Sequence, residues 1–224
     1  MSTILFLHGW GGSRDSFASI KTYFEKSYKC IFPEFDCEPQ SVLTLDDYVN
    51  QIEQIIMHEK IKQYYIIAHS FGARVAVLLS VRNPNLIQKM VCTGAAGLKP
   101  RVRLRVWFRI RLNKLRVLLL KLPPICKNEE YNKLSPAGKI TFQNILRRDL
   151  SHELRLLTVQ TLLIYGKKDK STPLNMAKRW TKLQQAAKLI VYKRSGHFCF
   201  SDEPARFIRD TERFLNASCN ADSD

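Results

Sequence analysis

The sequence predicts an α/β fold in which a parallel sheet is covered by helices on both faces. Two observations carry this expectation. Short β-rich runs alternate with segments of helical periodicity along most of the chain, the pattern of strand–helix–strand crossovers. The strand runs are also almost continuously apolar, as strands buried on both faces are. A length of 224 residues with 45% hydrophobic and 25% charged content supports one sizeable core and excludes disordered, collagen-like or disulfide-miniature chains as the main reading.

The elements follow in order. TILFL at 3–7 runs straight into HGWGG and lacks a basic leader and a cleavage site, so it reads as a core strand and not a signal peptide. A helix at 13–26 leads to a strand at 29–32, and a helix at 45–59 leads to the apolar strand YYIIA at 64–68. A Val-, Ala- and Leu-rich helix at 71–82 precedes a strand at 89–93. Two further strands, 161–165 and 189–192, are separated by a helix at 174–183, and a helix at 203–215 closes the fold. Thr172 before Pro173, and Asp202 shortly before Pro204, look like capped helix starts, since Pro is tolerated in a first turn. The alternation breaks once: 97–158 holds no strand pattern, only helical periodicity interrupted by Pro123, Pro124 and Pro136. The expected organisation is therefore a six-stranded core from 1–96 and 159–217, an all-helical cap from 97–158, and a small polar tail at 218–224 that frays.

Six cysteines without C-x-x-C spacing read as reduced thiols, which predicts a cytoplasmic protein. No apolar run approaches the roughly 20 residues of a membrane span. The Asn216-Ala217-Ser218 sequon matters only in a secreted protein and reads as accidental. The formal charge is +16, and nine of the cationic residues lie within 99–121, where no acid occurs. Such a balance implies attraction to acidic partners and says nothing about the fold.

The chemistry is concentrated at strand ends. Ser70 follows YYIIA in AHSFGAR and precedes a helix, with Ala68 and Gly72 as the small neighbours that a nucleophile on a sharp strand-to-helix turn needs. Ser before a helix commonly just caps it, so the pattern alone leaves that reading open. HGWGG after the first strand offers backbone donors for an oxyanion, with the Trp10 and Phe71 amides as candidates. It lacks the spacing of a dinucleotide or phosphate loop. Asp169 follows the fifth strand and His197 the sixth, at the carboxyl ends where open parallel sheets place their crevice. Of five histidines, His8 belongs to the Gly turn, His69 neighbours Ser70, His58 lies on a polar helix face and His152 in the insertion. Only His197 joins a strand end to a preceding Gly. No acid follows the fourth strand, and Asp169 taken alone reads as a surface turn residue. Ser, Asp and His in this chain order suggest nucleophile, orienting acid and base.

HGWGG, HSFG, GKKDKSTP and GHFCFSDEP together resemble the serine hydrolases of the α/β-hydrolase fold, of the small capped type that includes the pimeloyl-carrier-protein methyl ester esterases. The resemblance covers nearly the whole chain except the cap. It departs in Ala68, which stands for the first Gly of G-x-S-x-G, and at the start, where members usually have two further strands before the HG turn. It implies a serine carboxylesterase working through Ser70, His197 and Asp169 without metal or cofactor, acting on a pimeloyl-acyl-carrier-protein methyl ester as in biotin synthesis. A thioesterase, or a menaquinone-pathway-like lyase on a small anionic substrate, is the enzymatic alternative. A catalytically silent binding module using the basic cap is the non-enzymatic one.

The insertion is expected to cover Ser70. Arg101, Arg105, Arg109 and Arg116 recur at helical spacing beside an apolar stripe of Leu104, Phe108, Leu115, Leu118 and Leu122. The face reads as solvated charge over an apolar lid, or as a contact for an acidic acyl carrier protein, an anionic substrate or a membrane surface. Arg74 resembles an arginine in the nucleophile motif of the menaquinone-pathway relatives, but a structural ion-pair role is the commoner use of such a group. A nucleic-acid partner is not expected, because no recognition motif or aromatic platform accompanies the charge; a monomer is expected.

Overall fold

The computed structural model describes residues 1–99 and 129–217. Six strands, β1 (Thr3–Leu7), β2 (Lys29–Ile31), β3 (Tyr64–His69), β4 (Ile87–Thr93), β5 (Gln160–Gly166) and β6 (Ala187–Tyr192), form one sheet in the order β2-β1-β3-β4-β5-β6. Every neighbouring pair is parallel, so the six-stranded parallel sheet read from the sequence is present. The chain winds outward from β1 to β2, then returns to β3 and continues the other way. The order therefore reverses between β1 and β3, and the crevice at their carboxyl ends is where ligands of such sheets bind.

Alternation along the strands divides the core in two. Leu5 and Leu7 of β1, Ile66 and Ala68 of β3, and Leu163 and Tyr165 of β5 face one layer, with helices α2 (Leu45–His58) and α3 (Phe71–Arg82) and Trp180 of α7 (Leu174–Leu183). Ile4 and Phe6 of β1, Ile67 of β3 and Ile164 of β5 face the other, with Phe24 of α1 (Ala18–Phe24) and Phe207 of α9 (Pro204–Asn216). At about 1.5–3 kcal/mol for each large apolar side chain buried, two-sided burial anchors β1 firmly near the chain start. The edge strands differ from the sequence reading. Lys29 of β2 and Lys188 of β6 are exposed, because an edge strand has a neighbour on one side only.

Three local readings are corrected. The helix expected at 13–26 is a 3-10 turn, Arg14–Phe17, followed by α1. Ser13 and Ser16 form a capping box there, which fastens the turn separately from the helix. Thr172 and Asp202 mark helix starts but cap neither helix: α7 and α9 have no side-chain cap. The Thr172 hydroxyl instead donates to Asp169 and the Asp202 carboxylate accepts from the Gly196 amide. In the span expected to form the cap, the described residues hold α4 (Glu129–Lys133), α5 (Pro136–Arg147) and α6 (Ser151–Leu156). Arg101, Arg105, Arg109 and Arg116 lie outside the described residues, as does the 218–224 tail. The short α8 (Cys199–Asp202) precedes α9. No helix among the described residues is long and apolar enough to cross a membrane.

Lys89, read as an ordinary member of an apolar strand, ties the sheet to the final helix. It is 4% exposed, and its Nζ donates to the carbonyls of Phe214, Leu215 and Ala217 at 2.8, 3.2 and 2.5 Å. These are carbonyls at the end of α9, where a helix lacks intrahelical donors and its dipole favours a cation. Replacing Lys89 by Met keeps the stem and removes the donor. Since a hydrogen bond from a charged group contributes about 1.5–3 kcal/mol, urea unfolding of Lys89→Met is expected to show a loss of about that size or more. An unchanged midpoint would overturn this role.

Candidate active site

β1 and β3 are neighbours, with Leu7 opposite Ala68, so the HGWGG turn and Ser70 emerge side by side. The turn closes with Gly12 N donating to Gly9 O at 3.0 Å, and Gly11 takes φ +71°. His8 serves the loop and not the chemistry: Nε2 accepts the Phe35 amide at 3.1 Å, which leaves the Nδ1 proton for Gly9 O at 2.7 Å. Burial holds its pKa below the ordinary value. Of the other histidines set aside from the sequence, His58 is exposed beside Glu59 and His152 is exposed on α6.

Ser70 sits between β3 and α3 with φ 50° and ψ −107°. A left-handed conformation in a non-glycine residue costs roughly 1–3 kcal/mol and persists only where neighbours impose it. Here the Ser70 amide donates to Thr93 O at 3.1 Å and its carbonyl accepts from Ala73 and Ala96. Gly72 lets α3 press onto the end of β1: a Cβ there would lie 2.2 Å from Leu7 O. The capping role for Ser70 does not hold, since its side chain makes no cap hydrogen bond. Among the described residues the hydroxyl makes no hydrogen bond, and Ser70 is partly accessible on the wall of a cavity.

Asp169 and His197 come together through the loops after β5 and β6. Lys167 N donates to Tyr192 O and Lys168 N to Ser195 O, at 2.8 and 3.1 Å. Gly166 permits the approach, since a Cβ there would meet Gly196 O at 2.0 Å. Glu203 accepts from the Ser195 hydroxyl at 2.6 Å and Asp202 from Gly196 N at 2.7 Å, fastening the approach to His197. His197 Nδ1 lies 2.8 Å from Asp169 Oδ2. Asp169 also accepts from the Ser171 and Thr172 amides and the Thr172 hydroxyl, at 2.8, 2.9 and 2.8 Å. Burial alone would raise its pKa. The hydrogen bonds from His197 and Thr172 outweigh that and hold the carboxyl below its usual range. An ionised carboxylate only accepts, so His197 Nδ1 carries the proton of this bond, and in the neutral ring Nε2 is the acceptor. From the sequence Thr172 reads only as a helix cap and not as a partner of Asp169. Its signal was the spacing, a hydroxyl three residues after the Asp.

The cavity measures about 890 Å³ and is walled by Ser70, His197, Trp10, Phe71, Phe142 and Met176, among others. Trp10, in the turn, has no hydrogen-bond partner for its amide among the described residues. Phe71 opens α3, whose leading amides lack intrahelical partners. Arg74, one turn along, is 3% exposed and donates from Nη1 to Ile145 O and Arg148 O at 2.9 and 2.8 Å, holding the end of α5. Burial lowers its pKa to about 10, which leaves it charged at neutral pH. Among the described residues its hydrogen bonds are structural, although it also lines the cavity. Among the described residues no group of three or more His, Cys, Asp or Glu is placed to hold a metal ion.

Comparison with known proteins agrees with this architecture. The alpha/beta hydrolase family matches residues 4–210. An uncharacterized protein of Mycobacterium tuberculosis is 23% identical over 270 residues, covering 99% of this chain and 77% of the relative. A pimeloyl-[acyl-carrier protein] methyl ester esterase of Vibrio vulnificus is 20% identical over 237 residues, covering 94% and 93%. The solved structure of an esterase from Exiguobacterium antarcticum superposes with a TM-score of 0.76 at 21% identity, over 97% of this chain and 92% of that one.

The lowered pKa of Asp169 fixes a sign. The folded state favours the ionised carboxyl, so the stabilisation is present above its unfolded pKa of about 3.9 and is lost as the pH falls through the folded value. Urea unfolding of wild type and Asp169→Asn between pH 7 and pH 2.5 is expected to show a wild-type advantage that shrinks below about pH 4. An advantage independent of pH would contradict it.

Proposed function

The chain belongs to the alpha/beta hydrolase family, and from that premise we propose that it hydrolyses carboxylic esters with Ser70 as nucleophile, His197 as base and then acid, and Asp169 as the group that orients His197. The observation that carries this reading is the 2.8 Å contact between His197 and a buried, multiply bonded Asp169, on the same cavity that Ser70 lines from a left-handed turn. Ser70 Oγ attacks the ester carbonyl as His197 Nε2 takes its proton, and Asp169 stabilises the imidazolium. The Trp10 and Phe71 amides receive the oxyanion, each donor contributing about 3 kcal/mol to the barrier reduction. The alcohol leaves with the proton from His197, and water resolves the acyl-enzyme by the same path in reverse. Catalytic hydrogen bonds are commonly long in unliganded sites and shorten with substrate, which accords with the unpartnered Ser70 hydroxyl.

For the substrate we propose a medium acyl chain on a carrier, with a pimeloyl-acyl-carrier-protein methyl ester as the specific candidate. The relative from Vibrio vulnificus supports it, as do the apolar cavity walls. Lys167, Lys168, Lys170, Lys193 and Arg194 stand exposed on the loops that carry Asp169 and His197, a placement suited to an acidic carrier.

Ser70→Ala is expected to reduce turnover of short acyl esters at least 1,000-fold while leaving thermal unfolding within a few degrees of wild type, and to lose fluorophosphonate labelling; comparable turnover would refute Ser70. For a carrier-bound ester, KM is expected to rise markedly when salt shortens the Debye length from about 10 Å to about 3 Å. A KM indifferent to salt would count against docking through charge.

A further inference from the structure

His69 is a buried histidine that the reaction scheme leaves unused, and its surroundings are built in an unusual way. It is 3% exposed, directly before Ser70 at the end of β3, and its Nε2 has no hydrogen-bond partner among the described residues. Its ring centroid lies 4.6 Å from that of His197, with the planes tilted by 60°. Two glycines bracket the pair. A Cβ on Gly9 would lie 2.8 Å from His69 Nδ1, and one on Gly94, at φ +51°, would lie 2.9 Å from His197 Nδ1. Phe198, at 4.8 Å, and Phe200, at 5.2 Å, close the sides of His69.

The strand order explains why a support is needed. β4 and β5 stand between β3, which carries Ser70, and β6, which carries His197, so the backbone ladder sets the distance between nucleophile and base only through two intervening strands. The His69 ring spans that gap directly, from the residue beside Ser70 to the His197 imidazole. We propose that His69 is a positioning residue: a rigid ring packed at a tilt against the His197 imidazole, keeping Nδ1 on Asp169 and Nε2 toward Ser70. The inference rests on the esterase reading for its catalytic consequence, although the placement of His197 can be read without turnover.

A support beside an imidazole that becomes charged has to stay neutral itself. Burial, with smaller repulsion from the His197 and His8 rings, outweighs a hydrogen bond to the His197 backbone and the attraction of Asp169, bringing the His69 pKa down to about 3. His69 therefore adds no charge beside His197 at any pH where the enzyme would work.

Two variants separate support from space-filling. His69→Ala removes the ring; His69→Met refills the volume with a flexible chain that has no flat face. The direct readout is the downfield proton resonance of the His197 Nδ1–H bonded to Asp169, assigned by its loss in His197→Gln. Both variants are expected to lose this signal to solvent exchange and to lower kcat for a short acyl ester at least tenfold, with KM within about twofold, while His69→Met retains the thermal midpoint of wild type. If His69→Ala fails to fold, His69→Met decides the matter alone. A His69→Met protein that keeps the resonance, with kcat within twofold of wild type, would overturn the proposal. Loss of the resonance in both variants of a protein that hydrolyses no ester would uphold the positioning role and defeat the esterase reading alone.

Discussion

The close approach of α3 to the end of β1 sets the geometry on which the rest of the site depends. It requires a residue without a Cβ at Gly72, because the Leu7 carbonyl occupies the space where one would stand. With the helix held that near, the chain can leave β3 only through a tight turn, and Ser70 accepts a positive φ to make it. The strain is offset by the hydrogen bonds that Ser70 backbone groups make to β4 and to the segment following it. The same approach brings the HGWGG turn against the start of α3, so that a Gly-turn amide and a helix-start amide can face one space.

The opposite side of the cavity is governed by electrostatics more than by packing. A carboxylate with no exposed side-chain surface, Asp169, is favoured in its ionised form because hydrogen bonds from His197 and from the Thr172 amide and hydroxyl converge on it. Two buried side chains near this charge add none of their own. His69 is neutral, and the Thr172 hydroxyl donates a hydrogen bond without carrying a charge. In a region of low effective dielectric, charges nearby interact far more strongly than in water. A site that develops an imidazolium beside a carboxylate works best when other ionisable groups are either neutral or spent. Arg74 is spent on the α5 carbonyls, which also makes the position of the 129–156 helices depend on the core helix that begins beside Ser70.

The sheet explains how such a site survives on edges that are partly exposed. β1, β3, β4 and β5 are buried on both faces, and these strands carry the turn, Ser70, Gly94 and Asp169 at their carboxyl ends. β6, which precedes His197, is the outer strand. Its loop is fixed by the Asp202 and Glu203 contacts and by backbone bonds to the loop after β5. Side-chain contacts there take over the positioning that a second strand neighbour provides elsewhere.

Much was legible in the sequence because it depends on local pattern. Continuous apolar runs marked the six strands, Ala68 and Gly72 marked a sharp turn at Ser70, and the chain order of Ser70, Asp169 and His197 placed all three at strand ends. Position along the chain carries no information about distance, however, and the remaining features are contacts between residues far apart in it. The roles of Lys89 and Arg74 as caps for distant helices, of Thr172 as a donor to Asp169 and not to a helix, and of Gly94 beneath His197 all arise when separate loops meet. The amino-acid pattern by itself determined which segments become strands and which residue types gather at their ends. Tertiary structure alone decided which of those residues touch, because hydrogen bonds and ring contacts act over a few ångströms, a scale that only the packed sheet defines.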